Sequence, residues 1–124
     1  MYILDSNILI GHLNGSASIK KWIRENIEKG ELRISTITKI EVLSFPALSD
    51  ENLYEAEKFL ELFHEIGLFG DSASMTAAIK RNTDLSLADS VILATAISRK
   101  MTLVTNDKIL AKKAIDLVEI LSVS

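Results

Sequence analysis

The sequence predicts an α/β fold in which a parallel sheet carries helices on both faces. Short β-rich runs alternate with longer stretches of helical periodicity, and strands separated by helical patterns of about 10–15 residues need crossover connections, hence parallel pairing. At 124 residues, with a single Pro and no Cys, the chain is expected to fold as one domain over 1–124. A domain of that size buries roughly two thirds of the surface its unfolded chain exposes, so it needs no covalent staple.

The first strand is expected over 2–4, where an apolar run stops at Asp5. A helix over 18–29 follows from Ile19, Trp22, Ile23 and Ile27, whose spacing makes one apolar stripe; that stripe suits a core face better than a base-stacking platform. The run 32–35 reads as the second strand. Helices over 39–45 and 51–65, parted at Pro46, then form an αα-hairpin, the longer helix capped by Asp50 and burying Leu53, Ala56, Phe59, Leu60 and Phe63. A brief apolar run over 66–69 leads to helices over 72–82 and 87–99. A strand over 102–105, a helix over 108–113 and a last strand over 117–121 complete the order.

Composition narrows the function classes. A net charge of −3 and a pI near 5.4 argue against a passive nucleic-acid coat, which needs a basic face, but not against an enzyme whose acids are neutralised by bound cations. Without cysteine, only oxygen ligands and two histidines are left to coordinate a metal. No apolar stretch approaches the roughly 20 residues that span a bilayer, and the N-terminus lacks a basic signal-peptide region. These features lead us to expect a cytoplasmic protein with no membrane partner.

Four acids fall where ligands gather in open parallel sheets, beyond the carboxyl ends of strands. Asp5 follows the first strand and Asp107 the strand over 102–105; Glu41 and Asp89 are expected in first helical turns. Two carboxylates about 4 Å apart repel by about 4 kcal/mol at an effective dielectric near 20, and a divalent cation removes the conflict. With carboxylates and an amide as donors, the hard ions Mg²⁺ or Mn²⁺ are the natural occupants. Each acid also has a plain structural reading. Thr38-Lys39-Ile40-Glu41 and Ser86-Leu87-Ala88-Asp89 look like capping boxes, Asp5 with Asn7 like an Asx-turn, and Asp107 like a helix cap.

Taken in order, four segments resemble the PIN-domain family, and within it the VapC-type toxins. They are Leu4-Asp5-Ser6-Asn7-Ile8-Leu9-Ile10, Ser35-Thr36-Ile37-Thr38-Lys39-Ile40-Glu41-Val42, Leu87-Ala88-Asp89-Ser90-Val91-Ile92-Leu93-Ala94-Thr95-Ala96, and Leu103-Val104-Thr105-Asn106-Asp107. The resemblance implies a three-layer α/β/α sandwich with a mainly parallel sheet and a ribonuclease site that uses Mg²⁺ or Mn²⁺. By matching motif, Asp5, Glu41, Asp89 and Asp107 take the catalytic and metal positions, with Asn7 and Thr105 as polar support. Two departures are visible. Ser6 stands where the family usually has Thr, and Lys108-Ile109-Leu110 replaces an acid and an aromatic, which puts substrate choice in doubt more than chemistry.

The implied reaction is hydrolysis of an RNA phosphodiester by metal-activated water, with a cognate antitoxin and a homodimer as partners. Lys39, Lys108, Lys112 and Lys113 flank the acids and could meet phosphates, although charged helix residues are usually just a solvated face. His12 and His64 lack a second histidine at ligand spacing and are read as structural or surface residues. The hairpin over 39–65, with Phe45, Leu48, Phe59 and Phe63, could offer an antitoxin groove or simply close the core. The competing readings are a non-catalytic PIN-like binding module, a housekeeping RNA-processing nuclease, and a phosphotransfer domain with Asp5 as nucleophile. The last is disfavoured because Asn7 cannot act as its general acid and no glycine-rich phosphate loop is present.

Overall fold

The computed structural model describes residues 1–46 and 48–123, apart from the side chain of Asp71. Ala47, inside the expected hairpin, lies outside the described residues. The elements run β1 (Tyr2–Leu4), α1 (Ser6–Leu13), α2 (Ala17–Ile27), β2 (Leu32–Ser35), α3 (Thr36–Leu43), α4 (Asp50–Leu60), β3 (His64–Ile66), α5 (Gly70–Thr83), α6 (Leu87–Arg99), β4 (Thr102–Val104), α7 (Lys108–Ala114) and β5 (Ile120–Leu121).

All five strands are parallel, in the order β3-β2-β1-β4-β5. Strand β1 is central, with Tyr2 opposite Leu32 on one side and opposite Thr102 on the other. The period-2 alternation of strand side chains divides the core. Leu4, Ile34 and Val104 point into a cluster with Ile8, Ile23 and Phe63, while Ile3 and Leu103 point into a second cluster with Ile92, Leu93 and Leu110. Helices α1, α2 and α4 therefore cover one face and α5, α6 and α7 the other. The result is the three-layer α/β/α architecture. Its topological switch lies between β1 and β4, where successive connections leave in opposite directions and the strand ends open a crevice.

Several boundaries differ from the expected ones, each for a local reason. Helix α1 was not foreseen, because Asp5-Ser6-Asn7 has turn chemistry; Asp5 is instead its N-cap, accepting from the Ser6 amide at 2.8 Å. Helix α3 starts at Thr36, not residue 39, because the Ser35 hydroxyl caps the Ile37 amide. Glu41 consequently lies beyond the first turn and belongs to no capping box. Helix α4 is capped by Ser49 rather than Asp50 and ends at Leu60, five residues before the expected end, and the chain then turns into edge strand β3, which starts two residues earlier than the apolar run suggested. Phe59 and Phe63 are buried in the core, whereas Phe45 is about half exposed. Trp22 packs edge-on to Tyr2 at 5.4 Å, which bears out its core reading.

Candidate metal centre

Each acid owes its place to the element that carries it. The Asp5 backbone N–H donates to the Val104 carbonyl at 2.9 Å, extending the β1–β4 ladder by one residue and setting the side chain at the head of α1. Its residue is only 3% exposed. Oδ1 accepts from Ser6 N–H, and Oδ2 accepts the Thr105 hydroxyl at 2.7 Å. Thr105 Oγ1 in turn accepts the Asp107 amide at 3.0 Å, so one buried hydroxyl ties the first acid to the fourth. Asp107 Oδ1 caps α7 by accepting from Ile109 and Leu110 N–H, at 2.9 and 3.2 Å.

Asp89 occupies the first turn of α6, where the Ser86 hydroxyl accepts its backbone N–H at 3.1 Å. Glu41 reaches in from α3 with Oε1 buried and without a hydrogen-bond partner. A buried carboxylate oxygen in that state is costly unless something satisfies it.

Three of the four acids are raised, and the charges that act on them come from within the set. Burial pushes the Asp5 carboxyl up to about 6, against the lowering effect of the Thr105 hydroxyl and with further upward pressure from Asp89 and Glu41. Burial also raises Glu41, with the nearby Ser6 hydroxyl opposing and Asp89 assisting. Asp89 is raised by burial and then by the charge of Asp107. Asp89 thus repels each of the other three. No counter-charge is at hand: the ion pairs among the described residues lie elsewhere, at Lys21–Glu25, Lys39–Glu65 and Lys58–Glu61.

Among the described residues, no group of three or more His, Cys, Asp or Glu side chains is gathered into a ready metal cage. The donor set is nonetheless all oxygen, partly buried, over-charged, and includes the unpartnered Glu41 Oε1, which together fit a hard divalent cation.

Around this centre the Asn7 carboxamide bridges the turn after β4. Its Nδ2 donates to Thr105 Oγ1 at 3.5 Å and its Oδ1 accepts the Asn106 amide at 3.4 Å. Three neighbours were not picked out as site residues from the sequence: Ser6, which faces Glu41; Ser86, which caps the turn of Asp89; and Asn106. Their signal was proximity, since each lies within the same local motif as an acid. Of the four flanking lysines, Lys39 pairs with Glu65 at 3.3 Å and Lys113 donates to the Thr83 carbonyl at 2.5 Å, whereas Lys108 and Lys112 are exposed. His12 stacks on Phe59 at 4.0 Å and His64 sits exposed on β3, both away from the acids.

A family model described as PIN domain matches residues 2–116. No curated protein sequence matches the chain. Among solved structures, a toxin–antitoxin complex from Klebsiella pneumoniae contains a chain 26% identical over 98% of this chain and 96% of its own, with a TM-score of 0.79. A chain of VapBC2 from Rickettsia felis, bound to a DNA fragment from its promoter, is 20% identical with a TM-score of 0.83, covering 99% and 98% of the two chains. A chain of DNA-bound VapBC from Salmonella typhimurium is 22% identical with a TM-score of 0.80, covering 98% and 96%.

Proposed function

Since the chain belongs to the PIN-domain family, we propose that it is a divalent-metal-dependent ribonuclease and the toxin of a toxin–antitoxin pair, acting as a single domain over 1–124. The observation that supports this reading is that Asp5, Glu41 and Asp89 are each raised by burial and by one another or Asp107, at elements flanking the β1–β4 switch point, with no ion pair to any of them among the described residues. Asp5 and Asp107 also cap α1 and α7, but helix capping accounts for neither the burial of Glu41 nor the charge that Asp89 adds to Asp5 and Glu41.

Asp5, Glu41 and Asp89 would hold a Mg²⁺ or Mn²⁺ ion, with Asp107 completing the set or orienting the attacking water. When bound, such an ion supplies charge stabilisation for a phosphoryl oxygen and lowers the pKa of water. The protein's part is to keep its donors in place. The Thr105 hydroxyl spends its only proton on Asp5 Oδ2, which fixes that carboxylate's rotation. Asp107 commits Oδ1 to α7 and leaves its other oxygen outside the cap, while its charge acts on Asp89. Lys108 and Lys112, exposed on α7 beside Asp107, would meet backbone phosphates of an entering RNA strand.

The likeness to a chain of a structure named as a toxin–antitoxin complex, 26% identical, supports a cognate antitoxin as partner. No helix among the described residues is long and apolar enough to cross a membrane. A homodimer is the expected assembly, and a monomer on size-exclusion chromatography at high concentration would remove that element.

Labelled single-stranded RNA incubated with the protein and Mg²⁺ or Mn²⁺ tests the assignment. Cleavage that EDTA abolishes and Asp5→Asn eliminates is expected. Unchanged cleavage by Asp5→Asn overturns the site, and the absence of any Mn²⁺ site that disappears with Asp5 or Asp89 points to the non-catalytic module.

A further inference from the structure

Between Thr105 and Asp107 stands a residue with no assigned role. Asn106 is exposed, yet its carboxamide is engaged through both its nitrogen and its oxygen. Its Nδ2 donates to the Val123 carbonyl at 2.7 Å, and its Oδ1 accepts both the Val123 amide and the Ser122 hydroxyl, each at 2.9 Å. A carboxamide that pairs with both backbone groups of one residue does the work of a neighbouring strand. Here the β4–β5 ladder, whose last partners are Val104 and Leu121, is continued first by the Thr105 amide on the Leu121 carbonyl at 3.0 Å and then by the Asn106 side chain on Val123. Val123 is a firm anchor, being 7% exposed in the cluster that includes Leu4 and Val104.

The backbone of Asn106 faces the site. Its N–H reaches Asn7 Oδ1 at 3.4 Å, and Asn7 Nδ2 reaches Thr105 Oγ1 at 3.5 Å. Both contacts are long, so neither fixes the turn by itself. The short bonds to Val123 do, and they sit directly between the residue that holds Asp5 and the residue that carries the fourth carboxylate.

We propose that Asn106 is a positioning residue of the metal centre: its pairing with Val123 fixes the β4–α7 turn and thereby places Asn7, Thr105 and Asp107 around Asp5. The inference rests on the metal-site reading above. It extends the site to Ser122 and Val123, which belong to none of the acidic motifs and bear no ligand. Outer partners that orient ligands commonly alter metal affinity by about 10–100-fold when removed.

The experiment is calorimetric titration with Mn²⁺ alone, well below the unfolding temperature, on wild type, Asn106→Ala, Val123→Pro and Asp5→Asn. Val123→Pro keeps an apolar side chain but removes the amide that Asn106 Oδ1 accepts. Asn106→Ala is expected to weaken Mn²⁺ binding about tenfold, Val123→Pro to weaken it in the same direction, and Asp5→Asn to abolish it. Wild-type affinity in Asn106→Ala overturns the proposal even if its unfolding midpoint in EDTA falls, because that pattern is a purely structural role. In that case the loss of binding in Asp5→Asn leaves the metal-site reading standing; wild type that binds no Mn²⁺ removes both. A measurement that needs no variant uses the carboxamide resonances of the wild-type protein. Saturation with Mg²⁺ should shift the Asn7 and Asn106 signals together, and an unmoved Asn106 signal overturns the coupling.

Discussion

Thr105 and Asp5 are a hundred residues apart in sequence and share the shortest side-chain hydrogen bond of the centre, 2.7 Å from the threonine hydroxyl to Oδ2. That hydroxyl also accepts from the Asp107 amide, so it is the junction through which the two strand-end acids hold a common frame. Thr105→Val keeps the shape and removes the junction. A buried carboxylate oxygen left without its donor costs about 1–3 kcal/mol, so urea unfolding at pH 7 should show that loss and Thr105→Ser should restore most of it. A loss below a few tenths of a kcal/mol would show that the bond carries no weight.

The Asp5 carboxyl titrates near 6 in the folded protein against an ordinary value of 3.8. A raised folded-state value means that the native state binds more protons than the unfolded state between these limits, so stability conferred by the neutral form is lost as pH rises from about 4 through 6. The contribution is on the order of 3 kcal/mol. Unfolding in EDTA across this range should therefore fall more steeply with pH for wild type than for Asp5→Asn. Parallel slopes would mean that Asp5 does not carry the buried charge.

At pH 7 that charge makes the metal-free protein less stable than its sequence permits. Asp5→Asn retains an N-cap acceptor for α1 while removing the repulsion from Asp89 and Glu41, and is expected to unfold at a higher temperature than wild type in EDTA. Differential scanning calorimetry in chelator measures this directly. A lower midpoint for Asp5→Asn contradicts the electrostatic account.

Mn²⁺ should reverse the order. A ligand present at about a hundred times its dissociation constant stabilises the native state by about 2.7 kcal/mol. Wild type should gain several degrees in Tm on adding Mn²⁺, and Asp89→Asn should lose most of the gain, because Asp89 faces all three other acids. An equal gain in Asp89→Asn would place the ion elsewhere.

Ser86→Ala removes the hydroxyl that accepts from the Asp89 amide, and the loss of an N-cap costs about 1 kcal/mol. The stability change should be present in EDTA and in Mn²⁺ alike. A change seen only in Mn²⁺ would assign Ser86 to the ion rather than to the helix.

Strands β1 and β4 were legible because they depend on local pattern: Tyr2-Ile3-Leu4 and Thr102-Leu103-Val104 are short β-rich runs, and Asp5 and Asp107 follow them where a parallel sheet opens. Helix α6 was legible to the residue, since Ser86 and Asp89 mark its start in sequence. What stayed hidden depended on distant partners. The β-branched Thr36 and Ile37 suppressed the start of α3 and left Glu41 looking like a capping residue, when it lies beyond the first turn with Oε1 buried and unpartnered. Strand β3 carried the tail of a helical pattern, and only pairing with Arg33-Ile34-Ser35 makes it a strand. Asn106 could not be recognised because its partner is Val123, seventeen residues on.

The place of β1 at the middle of the sheet has a consequence for how the protein is made. A ribosome delivers Asp5 first, but the strand that completes its surroundings, β4, and the hydroxyl that fixes its carboxylate come about a hundred residues later. Contacts of such sequence separation form late, after the loop-closure entropy has been overcome. A nascent chain that stops short of Thr105 therefore carries three of the acids and no centre. The centre therefore forms in one step, when β4 joins β1 and Thr105 reaches Asp5, rather than acid by acid along the chain.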